Sequence, residues 1–185
     1  MHATISVTAR RAGRAIVTLL GMPPTPIFRP TARLIVRDPA NRILLFSSTG
    51  SDGTYWFTPG GGMKDGETIA GAAVRELAEE TGYVLAETEI GPVVATCAGQ
   101  WAGQAGEKFF GADSFFFVTV GGTPVDTGGQ EDFERSLITG HRWWNAEELR
   151  TTSAAITPRG LPDLVAQLLT SGVPDWPVRL PWRVA

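Results

Sequence analysis

Cysteine is nearly absent from this chain of 185 residues: Cys97 stands alone, so neither an intramolecular disulfide nor a thiolate metal cluster can be built. A reducing, cytoplasmic setting is the natural expectation, and the apolar surroundings Val93, Val94, Ala95 and Ala98 predict an inert, buried strand thiol. Lysine is scarce too, with only Lys64 and Lys108, so the positive charge is almost all arginine; base composition explains that as readily as function does. No run approaches the roughly 20 apolar residues needed to cross a bilayer. The apolar piece at residues 15–20, which follows Arg10, Arg11 and Arg14, is too short for a signal peptide and is broken by Pro23, Pro24 and Pro26. A formal net charge of -3 supplies no field that would favour a nucleic-acid polymer or an acidic membrane as partner. Repeats and low-complexity tracts are missing as well.

What is present fits one ordinary globular domain. The hydrophobic fraction is 43% and the charged fraction 19%, with 22 glycines and 13 prolines that imply many turns. We expect an N-terminal arm over residues 1–28, a compact domain over 29–172 and a Pro/Trp-rich tail over 173–185, whose Trp176 and Trp182 can dock on the domain or on a second subunit of a homodimer. Residues 31–36 and 42–46 read as two strands of a hairpin joined by Asp38, Pro39, Ala40 and Asn41. Residues 93–98, 114–120 and 141–144 read as further strands, with a turn over 99–111 and a polar, acidic loop over 121–134. Asn145 resembles a helix N-cap, and 162–169 a last helix. The alternation predicts an α/β domain with a mixed sheet and flanking helices.

The densest chemistry lies at residues 60–83. Three glycines, Gly60, Gly61 and Gly62, precede a helix predicted over 68–81, where Ala70, Ala73, Val74, Leu77 and Ala78 keep a helical period and Gly82 is placed to cap the end. At about 100° per residue, Glu76, Glu79 and Glu80 fall on the far or flanking side of that helix, as a solvated acidic ridge and not as core. Like charges so spaced repel by roughly 0.2–0.5 kcal/mol per pair. Pairing with Arg75 and with solvent is the ordinary remedy; a hard divalent cation such as Mg2+, which prefers carboxylate oxygens, is the functional one.

The spacing favours the second. Gly61, then Glu67, then Arg75-Glu76-Leu77-Ala78-Glu79-Glu80-Thr81-Gly82 resembles the Nudix box, the signature of a hydrolase superfamily acting on nucleoside diphosphates linked to another moiety. Tyr83 departs from it, standing where the pattern places an aliphatic packing residue, and Val84 follows as a substitute. The surroundings over roughly residues 30–150 resemble the family as well. The resemblance implies a mixed β-sheet sandwiched between α-helices, a small-molecule nucleotide substrate, and Mg2+, replaceable by Mn2+. It assigns metal ligation to Glu76, Glu79 and Glu80 with a carbonyl of Gly60 or Gly61, and makes Arg75 and Glu67 the residues that hold the glutamates in place.

The family takes its general base from varied places. Glu131, Asp132, Glu134 and Asp113 are the candidates; Glu134, between the acidic loop and the strand of Arg142, Trp143 and Trp144, ranks first, although ordinary surface charge is the commoner use of such residues. Trp56, Trp101, Phe109, Phe110, Trp143 and Trp144 can stack on a base, and core packing is their commoner use. His141 reads as a polar strand residue. The expected activity is metal-dependent hydrolysis of a diphosphate linkage in a nucleoside triphosphate, sugar nucleotide or ADP-ribose-like compound. The alternatives are a non-catalytic nucleotide-binding or regulatory module and an isomerase acting on a prenyl diphosphate; the latter calls for a reactive cysteine, which Cys97 does not resemble.

Overall fold

The computed structural model describes residues 25–50, 53–103 and 106–182. The readings made for residues 1–24, including the short apolar piece and its proline break, lie outside the described residues. Among the described residues eight strands form one sheet, with order β7-β3-β2-β1-β5-β4-β8 and β6 paired to β2. Its members are β1 (Ile27–Arg37), β2 (Ile43–Gly50), β3 (Gly53–Phe57), β4 (Val93–Ala102), β5 (Lys108–Thr119), β6 (Ile138–Trp144), β7 (Ala155–Thr157) and β8 (Val178–Arg179). The helices are α1 (Ile69–Thr81), α2 (Asp132–Leu137), α3 (Ala146–Thr151) and α4 (Leu161–Ser171). Among the described residues no helix is long and apolar enough to cross a membrane.

Side-chain alternation on the strands separates two cores, as a sheet covered on both faces requires. Ala32, Leu34, Val36, Leu44, Phe116 and Val118 meet Ala72, Ala73 and Leu77 of α1, whereas Ile35, Ile43, Leu45 and Phe115 meet Leu149 of α3 and Leu161, Leu164, Val165 and Leu168 of α4. The helix–sheet–helix sandwich expected from the sequence is the observed fold. Tyr83 is buried with the α1 core, and its hydroxyl donates to the Thr123 carbonyl, while Val84 is 79% exposed. The aromatic ring therefore fills the aliphatic position by itself, and Val84 is no substitute.

Several elements are longer than local pattern suggested. β1 begins at Ile27 because residues 27–37 run parallel to 109–119 without interruption. β4 and β5 extend into a long antiparallel ribbon down to Ala102 and Lys108, so most of the expected 99–111 turn is strand. The foot of the 121–134 loop is helix α2, capped through Glu131 and Glu134. Backbone pairing across strands, invisible in a single-strand window, produced these extensions.

The expected hairpin exists only at its turn. Asp38 accepts from the Ala40 and Arg42 backbone N–H groups at 3.0 and 2.8 Å, and burial, which opposes its ionisation, is outweighed by Arg42, so its carboxyl lies below the usual range. Beyond that turn, β1 and β2 share the single pair Arg37–Ile43 and then diverge. Residues 59–63 occupy the opening: Ala32 N–H donates to Gly61 O at 3.0 Å, Leu34 N–H to Pro59 O at 2.9 Å, and Met63 N–H to Pro30 O at 3.0 Å. Gly60, at φ 128°, could carry a Cβ only by placing it 2.1 Å from the Ala32 carbonyl oxygen. Gly60→Ala should therefore destabilise the fold by about 2–4 kcal/mol, combining a forbidden dihedral with backbone overlap; urea denaturation checks this, and Gly62→Ala, where the added carbon meets nothing, should change stability by less than about 0.5 kcal/mol.

Candidate active site

Helix α1 starts where Thr68 Oγ1 accepts from Gly71 N–H at 2.8 Å and stops at Gly82, whose φ of 73° and 3.0 Å bond to Ala78 O make a left-handed cap. Its two ends thus match the predicted helix. Its acidic face does not. Glu76 and Glu80 are buried, at 4% and 3% exposure, in one stripe with Ala72, Ala73, Leu77 and Thr81, so the ridge expected in solvent is turned largely inward. The helix lies close against the opening between β1 and β2, which supplies polar backbone where apolar side chains would otherwise sit.

Glu80 Oε2 accepts from Gly60 N–H at 2.6 Å. Glu76 Oε1 accepts from Arg75 at 2.6 Å, and Glu76 Oε2 is buried without a hydrogen-bond partner among the described residues. A side chain on Gly61 would begin 2.4 Å from Glu76 Oε1, so this glycine is the room in which that carboxylate sits. Glu79 is the most exposed of the three and pairs with Arg75 at 2.9 Å and Lys64 at 3.8 Å. Arg75 also reaches both oxygens of Glu67, at 2.7 and 3.1 Å, and the Gly62 carbonyl at 2.9 Å. One guanidinium therefore ties the loop before the helix to two glutamates on it.

Of the four base candidates, Glu134 alone joins the buried pair. Carboxylate oxygens of Glu76, Glu80 and Glu134 lie within 4.8 Å of one another. The acidic loop brings it there: Asp126 N–H donates to Thr81 O at 2.9 Å, Gly129 packs on the Glu79 backbone, and Gln130 is buried beneath it. Glu131 faces Lys64 at 3.6 Å, and Asp132 is 99% exposed beside Arg135. Asp113 sits on β5 opposite Cys97 and lines a different cleft. The carbonyls of Gly60 and Gly61 accept from Arg33 at 2.8 Å and from Ala32 N–H at 3.0 Å, each retaining a second lone pair.

Arg33 and Lys64 escaped the sequence reading. The available signal for Arg33 was a charge inside the otherwise apolar run 32–36. Among the aromatics, Trp56 and Trp144 pack edge to face at 5.1 Å in the α4 core, and Trp143 packs beside the α1 core. Trp101 stacks on Phe109 at 5.1 Å and Phe110 on Phe28 at 6.2 Å. His141 is an exposed strand residue, as expected.

Burial dominates the electrostatics. It pushes the Glu80 carboxyl up to about 8 against the opposing Gly60 N–H, with the charges of Glu134 and Glu76 adding to the rise. Burial likewise raises Glu76, although Arg75 opposes it. Glu67, bonded to Arg75, is held down at about 2. A carboxyl raised on folding makes the native state bind more protons than the unfolded chain, so stability falls as pH rises through that interval. In EDTA, the protein should lose stability between about pH 5 and pH 8, on the order of a few kcal/mol, and Glu80→Gln should flatten that slope in urea titrations; a wild-type slope of opposite sign would contradict it.

Comparison with known proteins gives the family and the fold. The NUDIX domain family model matches residues 27–164. The chain is 35% identical over 63 residues to an RNA pyrophosphohydrolase of Dinoroseobacter shibae, covering 34% of this chain and 39% of that protein. It is 40% identical over 62 residues to Nudix hydrolase 25 of Arabidopsis thaliana, covering 34% and 35%. It thus spans well under half the length of the curated relatives it matches. In fold it is similar to the E. coli ORF135 protein, with TM-score 0.54, 22% identity and coverage of 82% of this chain and 96% of that one. It is also similar to a MutT protein from Methanosarcina mazei, with TM-score 0.53, 15% identity and coverage of 77% and 93%. A family match running from the first strand to the first turn of α4, over the glycine turn and the glutamate helix alike, means that this chain belongs to the NUDIX domain family.

Proposed function

We propose that this chain is a divalent-metal-dependent hydrolase that cleaves a diphosphate linkage in a nucleoside diphosphate derivative, with residues 29–172 as the catalytic domain. The observation that carries the reading is the convergence of the Glu76, Glu80 and Glu134 carboxylates, together with a buried Glu76 oxygen that no donor among the described residues satisfies. Arg75 meets Glu76 Oε1, and a second cation would offset the cost of burying Oε2 without a partner. An all-oxygen donor set suits a hard ion such as Mg2+, with Mn2+ as a substitute. Glu76, Glu79 and Glu80 would hold it with a carbonyl of Gly60 or Gly61, and Glu134 would stand beside it, its carboxylate within 4.8 Å of those of Glu76 and Glu80. Bound there, the ion would neutralise diphosphate oxygens and lower the pKa of a water.

The chain's own residues then have separable tasks. Arg75 fixes Glu76 and Glu79 in rotamers that face the same space, and Glu67 fixes Arg75. Gly60 N–H holds Glu80, and Arg33 holds Gly60. Glu134 is the half-buried carboxylate delivered from outside the helix, and it is the group we assign to take the proton from the attacking water. The printed name of the Dinoroseobacter relative, a pyrophosphohydrolase, supports the same reaction class. A binding module without turnover is the weaker reading, since such a role gives no reason to keep three carboxylates together.

Hydrolysis of a panel of nucleoside triphosphates, sugar nucleotides and ADP-ribose in Mg2+ tests the assignment. Activity should vanish in EDTA and return with Mg2+ or Mn2+. Glu80→Gln and Glu134→Gln should each lower kcat by about 100-fold or more, the range seen when a group acting in the transition state is removed. Unchanged turnover in Glu134→Gln would remove it as the base, and no turnover of any compound by the wild-type protein would favour the binding module.

A further inference from the structure

The C-terminal segment lies beyond the family match, which ends at residue 164, yet it is built into the sheet. β8 runs parallel to β4 through the pairs Ala95–Val178 and Thr96–Arg179, Leu180 N–H donates to Thr96 O at 2.8 Å, and the Cys97 thiol donates to Pro181 O at 3.3 Å. Leu180 is buried with the α4 core. These contacts deliver Trp182 onto the face of the β4–β5 ribbon. The ring rests over Gly99 and Gly111, which are partners in the ladder. A Cβ on Gly99 would overlap the indole, and one on Gly111 would fall 2.8 Å from it. Glycine in mid-strand weakens a sheet, and a facing pair is what allows a large ring to lie this close. With Trp101 stacked on the same indole at 6.1 Å, the position of Trp182 is set by backbone beneath it and by a ring beside it.

Trp182 also walls a narrow cleft with Arg33, Phe57, Cys97 and Phe115. The cleft encloses about 10 Å³, room for no more than about one water, so it is packing space and not a ligand site. Arg33 is half-buried there, and it donates to the carbonyl of Gly60 at 2.8 Å. Gly60 in turn donates its N–H to Glu80 at 2.6 Å, on the α1 side of the sheet. An arginine gives up much rotamer freedom to hold one geometry, and a hydrogen bond open to water returns little. Aromatic walls that confine the stem and leave space for hardly any water shift that balance toward the bond.

We propose that the C-terminal segment is a clasp on the carboxylate site, acting from the opposite face of the sheet. By closing the cleft, Trp182 confines Arg33, and it is thereby a positioning residue for the Gly60 turn and for the N–H that Glu80 accepts. The segment supplies no group to the carboxylate cluster itself; its effect passes through one arginine and one glycine. The consequence for turnover rests on the hydrolase reading above, whereas the positioning does not.

Amide hydrogen exchange of the full chain in EDTA, read residue by residue by NMR at one pH, tests the proposal. Trp182→Leu and Arg33→Met should each speed exchange of the Gly60 amide at least about tenfold, while the Gly82 and Leu149 amides, bonded at 3.0 Å in α1 and α3, stay within about twofold of wild type. The double variant should exchange within about twofold of the faster single one, because both changes release the same bond. If Trp182→Leu does not fold, Gly99→Ala, whose added carbon must displace the ring, carries the same expectation. A Trp182 that served global stability alone would speed all three amides together, and that result overturns the proposal. So does an unchanged Gly60 amide in folded Trp182→Leu, or effects that multiply in the double variant. Metal and turnover take no part in the measurement: the expected pattern in a protein that hydrolyses nothing sustains the clasp and removes the hydrolase reading, whereas robust hydrolysis with an indifferent Gly60 amide does the reverse.

Discussion

The close approach of the Gly60–Gly61 backbone to two neighbours at once is the constraint on which the rest of this structure depends. On one side Gly60 lies against the β1 backbone at Ala32 and Arg33, and on the other Gly61 lies against the carboxylate of Glu76. Neither position has room for a side chain. The turn can enter only because β1 and β2 part after Arg37 and Ile43, and it replaces the missing strand pairing with its own bonds to Pro30, Ala32 and Leu34. A sheet that would have closed as a hairpin is thereby opened, and peptide groups are presented to the helix at the opening.

That exchange explains how α1 buries charge. A helix packed on a closed sheet would meet side chains and would need apolar residues at positions 76 and 80. Here it meets a backbone N–H and the space above a glycine, so carboxylates fit sterically and Glu80 finds a donor. Electrostatic compensation is incomplete. Arg75 is shared among Glu67, Glu76 and Glu79, and its own deprotonation is made harder by Glu67 first of all, against an opposing effect of burial. Among the described residues no arginine bonds Glu80, and burial pushes its carboxyl up to about 8. Surplus buried negative charge of this kind makes stability depend on pH.

The same opening relates the two faces of the sheet. Side chains from β1 alternate, so Ala32 and Leu34 pack toward α1 while Arg33 and Ile35 point to the face covered by α3 and α4. Arg33 returns to the Gly60 carbonyl and so links the carboxylate cluster to the cleft beside Asp113 and Trp182. The C-terminal segment contributes to that cleft by strand pairing and by a seat of two glycines, both of which require β4 and β5 to be in register.

Much of this was legible in the residues alone. The helix over 68–81, its Thr68 and Gly82 caps, the Asp38 turn, the Asn145 cap and the box from Gly61 to Gly82 are local features, set by dihedral preference, hydrogen bonding within a few residues and motif spacing. Glu134 could be singled out by its place beside a strand, and Arg75 and Glu67 by the box. Local pattern failed where partners are distant in the chain. The helical wheel put Glu76 and Glu80 in solvent, because it weighs apolar spacing and has no knowledge of a glycine turn waiting opposite. The extent of β1, β4 and β5 and the meeting of Trp182 with Gly99 and Gly111 depended on register between segments tens of residues apart. Residue identity determined which chemistry the chain could carry; only packing decided which carboxylates are buried together, because the free energy of a charge is fixed by what surrounds it rather than by its position in the sequence.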